Sequence, residues 1–142
     1  MTQTLLVALD INDDTGASFI AQTALSMVGS SFQNLHAINV MPGGGMSIVS
    51  SYLGPDHSSR MRREAQATMA RFAGEHLPGV PESQLYVEEG TIYDRILRRA
   101  DALSAGMIVI GAHRPELKDY LIGPNAARVA RHAKQSVLVV RP

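Results

Sequence analysis

The sequence predicts an α/β fold: one doubly wound, five-stranded parallel sheet with helices on both faces. Five short apolar runs alternate strictly with four stretches of helical periodicity, and the order ends on a strand. The runs are aliphatic with no polar alternation, as in strands covered on both sides. At 142 residues the chain has the length of a single domain, 1–142, able to bury a core without metal or disulfide support.

Leu5-Leu6-Val7-Ala8-Leu9 is the first run, ended by Asp10. Thr15 is placed to cap a helix reaching about Val28, in which Phe19, Ile20, Ala24, Leu25 and Val28 recur at helical spacing. Leu35 to Val40 reads as the second strand. Met41-Pro42-Gly43-Gly44-Gly45 breaks the pattern and opens a loop of about fifteen residues, long for a compact domain and typical of ligand-covering lids or mobile segments. The second helix starts at Asp56 or Ser58, carries Met61, Ala65, Met69, Phe72 and Leu77 on one side, and stops at Pro78-Gly79. Leu85 to Glu88 is a short third strand. Gly90-Thr91 leads into a helix from Ile92 to Leu103, with Ile92, Ile96, Leu97 and Ala100 at helical spacing. Met107 to Ile110, Ala126 to His132 and Ser136 to Val140 supply the fourth strand, fourth helix and fifth strand.

Composition excludes several classes of function. Lys+Arg and Asp+Glu each number 13, so the formal net charge is zero. Nucleic-acid and acidic-membrane binders need a positive surplus, so neither partner is expected. A neutral chain also has little charge repulsion to oppose self-association. There is no cysteine, which removes disulfides, thiol catalysis and thiolate metal sites. The first residues lack a basic segment followed by an apolar one, and no apolar run approaches ~18 residues. The expectation is a cytoplasmic protein with no membrane partner.

Doubly wound sheets hold ligands beyond the carboxyl ends of their strands, where strand order reverses. Gly111-Ala112-His113-Arg114-Pro115, and then Gly123-Pro124-Asn125-Ala126-Ala127, make a strand end, a glycine-bounded loop and a helix start. Such a segment presents backbone N–H groups and a helix dipole to an anion. If strands one and four are neighbours, Asp10, Val40 and Gly111 line one crevice: an acid for a ribose, an apolar wall for a base, and donors for phosphates. Asp10 also reads simply as a turn residue. His113 and Arg114 fit either a triphosphate pocket or an exposed loop.

Other clusters carry less. Asp10, Asn12, Asp13 and Asp14 lack the glycine and glutamate of a calcium loop and read as a polar turn. His36, His57, His76 and His132 share no ligand spacing, so no metal site is expected. Arg62-Arg63 and Arg98-Arg99 read as solvated helix faces, and Met61 and Met69 as core filling. No Gly-x-Ser-x-Gly elbow and no motif-placed base are present, so dedicated catalysis is not expected.

Over nearly its whole length the chain resembles the universal stress protein family. The match rests on Leu-Val-Ala-Leu-Asp at 6–10, Leu35 to Val40 followed by Met-Pro, Glu89-Gly90 before a helix, and the tail from Met107 to Arg141. His113-Arg114-Pro115 and Leu121-Ile122-Gly123-x-Asn125-Ala126-Ala127 are similar to the F/G-type bacterial subgroup. The resemblance implies strand order 3-2-1-4-5, homodimers through the last strand, and ATP or AMP, with or without magnesium, as a regulatory ligand. Carried over by position, Asp10 meets the ribose and Ala8 and Val40 flank adenine. Ile110, Gly111, Gly123 and the start of the last helix, Asn125 and Ala126, hold base and phosphates. Slow ATP hydrolysis or autophosphorylation is the most catalysis this allows.

The chain departs from the family's Gly-x2-Gly-x9-Gly-Ser/Thr pattern. Gly111 stands first, but Arg114 replaces the second glycine, eight residues separate it from Gly123, and Pro124 replaces the Ser/Thr. Arg114 adds a Cβ and a guanidinium. Pro124 suits a first helical position but deletes an N–H and a hydroxyl, which Asn125 is placed to replace. Two functions follow as expectations: a nucleotide-regulated stress protein acting on an unspecified protein partner, or an interaction module that no longer binds nucleotide.

Overall fold

Strand pairing sets the frame on which everything else is hung. In the computed structural model, which describes residues 3–42, 55–112 and 122–141, the strands are Leu5–Ala8 (β1), Leu35–Pro42 (β2), Leu85–Gly90 (β3), Met107–Gly111 (β4) and Ser136–Val140 (β5). All pair in parallel, in the order β3-β2-β1-β4-β5. Val7 stands between Ala37 and Val109, so β1 and β4 are neighbours. The chain winds outward from β1 to β3, then returns to the other side of β1. The reversal between β1 and β4 is where an open sheet leaves a crevice.

The helices Asp14–Val28 (α1), Pro55–His76 (α2), Ile92–Ala102 (α3) and Pro124–His132 (α4) cover both faces. Strand periodicity divides the core in two. Leu5, Val7, Leu35, Ala37 and Val109 turn toward Ala17, Ala21 and Ala24 of α1 and Met69, Phe72 and Ala73 of α2. Leu6, Ile38, Ile108 and Ile110 turn toward Ile96 and Ala100 of α3 and Ala126 and Val129 of α4. Leu6, Val7, Ile108 and Val109 are fully buried, each contributing about 1.5–3 kcal/mol of transfer free energy. The two strands flanking the crevice are therefore anchored by fully buried side chains on both faces of the sheet.

Element ends differ from the sequence expectation for local reasons. α1 is capped by Asp13, whose side chain accepts from Gly16 N at 3.3 Å, and Thr15 lies inside the helix. Asp is a strong N-cap and the next residue, Asp14, favours the first turn. α4 starts at Pro124 rather than Ala126, because a proline at the first helical position loses no bond. β2 and β3 extend to Pro42 and Gly90 by pairing with each other, Met41 with Glu89 and Pro42 with Gly90. Neither Met41-Pro42 nor Glu89-Gly90 looks like a strand alone. The long loop expected from Gly43 onward, a lid or a mobile segment, lies outside the described residues, as do His113 and Arg114. No described helix is long and apolar enough to cross a membrane.

Candidate functional site

The crevice begins where β1 runs out. Leu9 N still donates to Ile38 O at 2.9 Å. The buried Asn39 then donates its Nδ2 to Leu9 O, also at 2.9 Å. Asn39 is the buried polar side chain among the described residues, and this bond satisfies it. It fixes the chain just before Asp10, whose main-chain oxygen accepts from Asp13 N at 3.0 Å. Asp10 itself is exposed, and its Oδ1 accepts from Asn12 N at 3.1 Å. Asp10 is thus a turn residue in this state, with Oδ2 lacking a donor among the described residues.

Behind Asp10 stands an apolar wall. Ala8, Val40, Ile110 and Ala126 come from four different elements and share one cluster on the α3–α4 face. Ile110 and Ala126 are buried, while Ala8 and Val40 stay half-exposed. The same cluster includes Ile92 and Tyr93 from the first turn of α3, which sequence reasoning placed in a helix but not at a site. Arg95 was missed as well. Gly90 has φ +145°, and a Cβ there would lie 2.7 Å from Arg95 Nε, so Arg95 crosses the carboxyl end of β3 beside Pro42. Helical side chains lean toward their own N-terminus, which is the signal that would have found it.

At the start of α4 the backbone donors can be followed one by one. Gly123 caps α4 without a side-chain bond, and its N–H is spent on Ala112 O. Pro124 has no N–H. Ala127 N already donates to Gly123 O at 3.0 Å. Asn125 and Ala126 are left with N–H groups that have no acceptor among the described residues. At the positive end of the α4 dipole they suit an anion. An ordinary helix start leaves four such donors, so two are missing or spent here.

Gly111 has a packing role that sequence reasoning did not include. A Cβ at this position would lie 2.6 Å from Ile20 Cδ1, so the glycine lets α1 sit close to β4. Arg99, read as solvated, instead donates Nε to Glu88 Oε2 at 2.7 Å and lies over the Tyr86 ring. Arg98 does face solvent, donating to Asp94 Oδ2 at 2.8 Å. Among the described residues no three His, Asp or Glu side chains converge as metal ligands.

The universal stress protein family model matches residues 1–141. Universal stress protein G of Salmonella typhimurium is 27% identical over 109 residues, which cover 75% of this chain and 77% of that protein. The universal stress protein from Archaeoglobus fulgidus in complex with dAMP superposes with TM-score 0.60 at 20% identity, covering 98% of each chain. A universal stress protein in complex with cAMP superposes with TM-score 0.57 at 21% identity, covering 99% of this chain and 97% of that one. These two likenesses concern the fold.

Proposed function

Because the chain belongs to the universal stress protein family, we propose that its carboxyl-end crevice binds an adenine nucleotide, ATP or AMP, as a regulatory ligand. The observation that carries this reading is a juxtaposition. Ala8, Val40, Ile110 and Ala126 form an apolar wall at the strand-order reversal, directly beside the two unspent N–H groups of α4. The dAMP and cAMP complexes of related proteins lend it support.

In this reading Ala8 and Val40 flank the base, and Asp10 accepts from the ribose hydroxyls through Oδ2. Ile110 and Gly111 hold the base side of the crevice. Gly123, Asn125 and Ala126 face the phosphates, with His113 and Arg114 reaching a triphosphate and magnesium optional. The ligand acts by population shift, favouring one arrangement of the surface around Gly111 and Gly123 that a protein partner reads. No catalytic group is assigned. The protein works in the cytoplasm as one domain and as a homodimer joined through β5, an edge strand whose Val137, Leu138 and Val139 are only half-buried.

A second reading, an interaction module without nucleotide, draws on the shortened donor set at Gly123 and Pro124. Calorimetric titration of ATP and of AMP separates the two. Binding to the native chain, weakened about tenfold or more in Asp10→Ala with an unchanged circular dichroism spectrum, is the expected result. Absence of binding at millimolar nucleotide favours the interaction module.

A further inference from the structure

A polar network on the α3 face of the sheet is used by nothing described so far. His36 Nδ1 and Tyr86 Oη lie 2.8 Å apart, and the two rings are nearly parallel, at 8°. The Arg99 guanidinium lies 4.2 Å from the Tyr86 ring centroid, and Arg99 Nε donates to Glu88 Oε2 at 2.7 Å. The pair is partly shielded, with 31% of the Arg99 side chain and 17% of that of Glu88 exposed. These four side chains join β2, β3 and α3. We propose that they form an acid-released latch, closed while His36 is neutral, that holds α3 against the β2–β3 edge of the sheet.

The chemistry follows from the inventory of donors. A neutral imidazole with its proton on Nε2 accepts the Tyr86 hydroxyl proton at Nδ1. A second proton makes both ring nitrogens donors, so the phenol must turn and accept. It also sets a new cation beside Arg99 in a partly desolvated place. Burial, and then the Arg99 charge, hold the His36 pKa below its ordinary 6.5. The unfolded chain therefore takes up this proton first. Stability from the neutral His36 is complete above pH 6.5, declines as pH falls below it, and is gone below the folded-state pKa.

Apart from Arg95, the other described charges on the packed elements are paired or exposed. On β3, Glu88 is held by Arg99 and Glu89 is exposed. On α3, Asp94 pairs with Arg98, Arg95 lies over Gly90, and Asp101 accepts from Gln135 with Lys134 4.0 Å away. The facing residue on β1 is the apolar Leu6. Ile92 and Tyr93, in the first turn of α3, belong to the same cluster as Ala8 and Val40. Releasing α3 thus loosens the base wall, a consequence that rests on the nucleotide reading, whereas the latch itself does not.

The test is an NMR titration of the imidazoles with amide hydrogen exchange, from about pH 7.5 to about pH 5, on the native chain, His36→Gln and Arg99→Gln. His36 is expected to titrate below 6.5, with its midpoint moving upward in Arg99→Gln. After correction for intrinsic rates, α3 amides should exchange faster at the acid end than at the neutral end. His36→Gln should lack that acceleration. A native His36 titrating at or above the ordinary value, or equal acid loosening of α3 in His36→Gln, overturns the proposal. AMP titration at both ends of the range separates the two claims. Acid-weakened binding in the native chain alone extends the latch to the site. No AMP binding at either pH, with α3 release intact, supports the latch and counts against the nucleotide reading.

Discussion

Asn39 and Asp10 divide the work at the end of β1. Asn39 sits 7% exposed and spends its amide on Leu9 O, so Asn39→Leu leaves that carbonyl without its partner. A buried acceptor left unsatisfied costs about 1–3 kcal/mol, to be read as a lower urea midpoint with an unchanged slope. Asp10 is exposed, and losing its bond to Asn12 N should barely move that midpoint, so Asp10→Ala separates ligand contact from folding. The place of Asp10 in the turn after β1 was legible in sequence because an acid ending an apolar run is conspicuous. Asn39 was not, since nothing local says that a polar residue inside a strand will turn inward. Gly111 was legible as a glycine after a strand, but its packing against Ile20 depends on where α1 lands. Gly111→Ala forces the tip of Ile20 aside, so it tests helix packing and not ligand contact alone.

Among the elements, α4 carries the clearest departure from the family pattern. Its proline start is favourable for the helix and unfavourable for anion binding, because two of the nearby donors are missing or spent. Pro124→Ser restores an N–H and adds a hydroxyl. A hydrogen bond to a charged group contributes about 1.5–3 kcal/mol, so ATP and AMP should bind about tenfold or more tightly, while adenosine stays unchanged. Equal gains for adenosine would show that the N-terminus of α4 does not face phosphate. The strand cores and helical stripes were readable from aliphatic runs and the spacing of apolar residues. The ends of β2 and β3 were not, because Pro42 and Gly90 are in strands only through each other. Arg99 was misread for the same kind of reason, its acid lying on β3 and not on its own helix.

For the whole molecule, alternation of elements foretold a parallel sheet, and the family resemblance supplied the order that alternation alone leaves open. That order makes β1 and β4 neighbours and so gathers Ala8, Val40, Ile110 and Ala126 from segments spread over more than a hundred residues. The half-buried aliphatics of β5 and the zero net charge suit self-association. A native mass spectrum should accordingly show two subunits, and a monomer at micromolar concentration would remove β5 pairing from the proposal. The most direct test of nucleotide binding is the thermal unfolding of the native chain with and without millimolar ATP or AMP. A ligand at about 100 times its Kd adds about 2.7 kcal/mol, which for a domain of this size raises the Tm by roughly 5 °C or more. A melting temperature unmoved by either nucleotide would contradict the reading and leave the interaction module in its place.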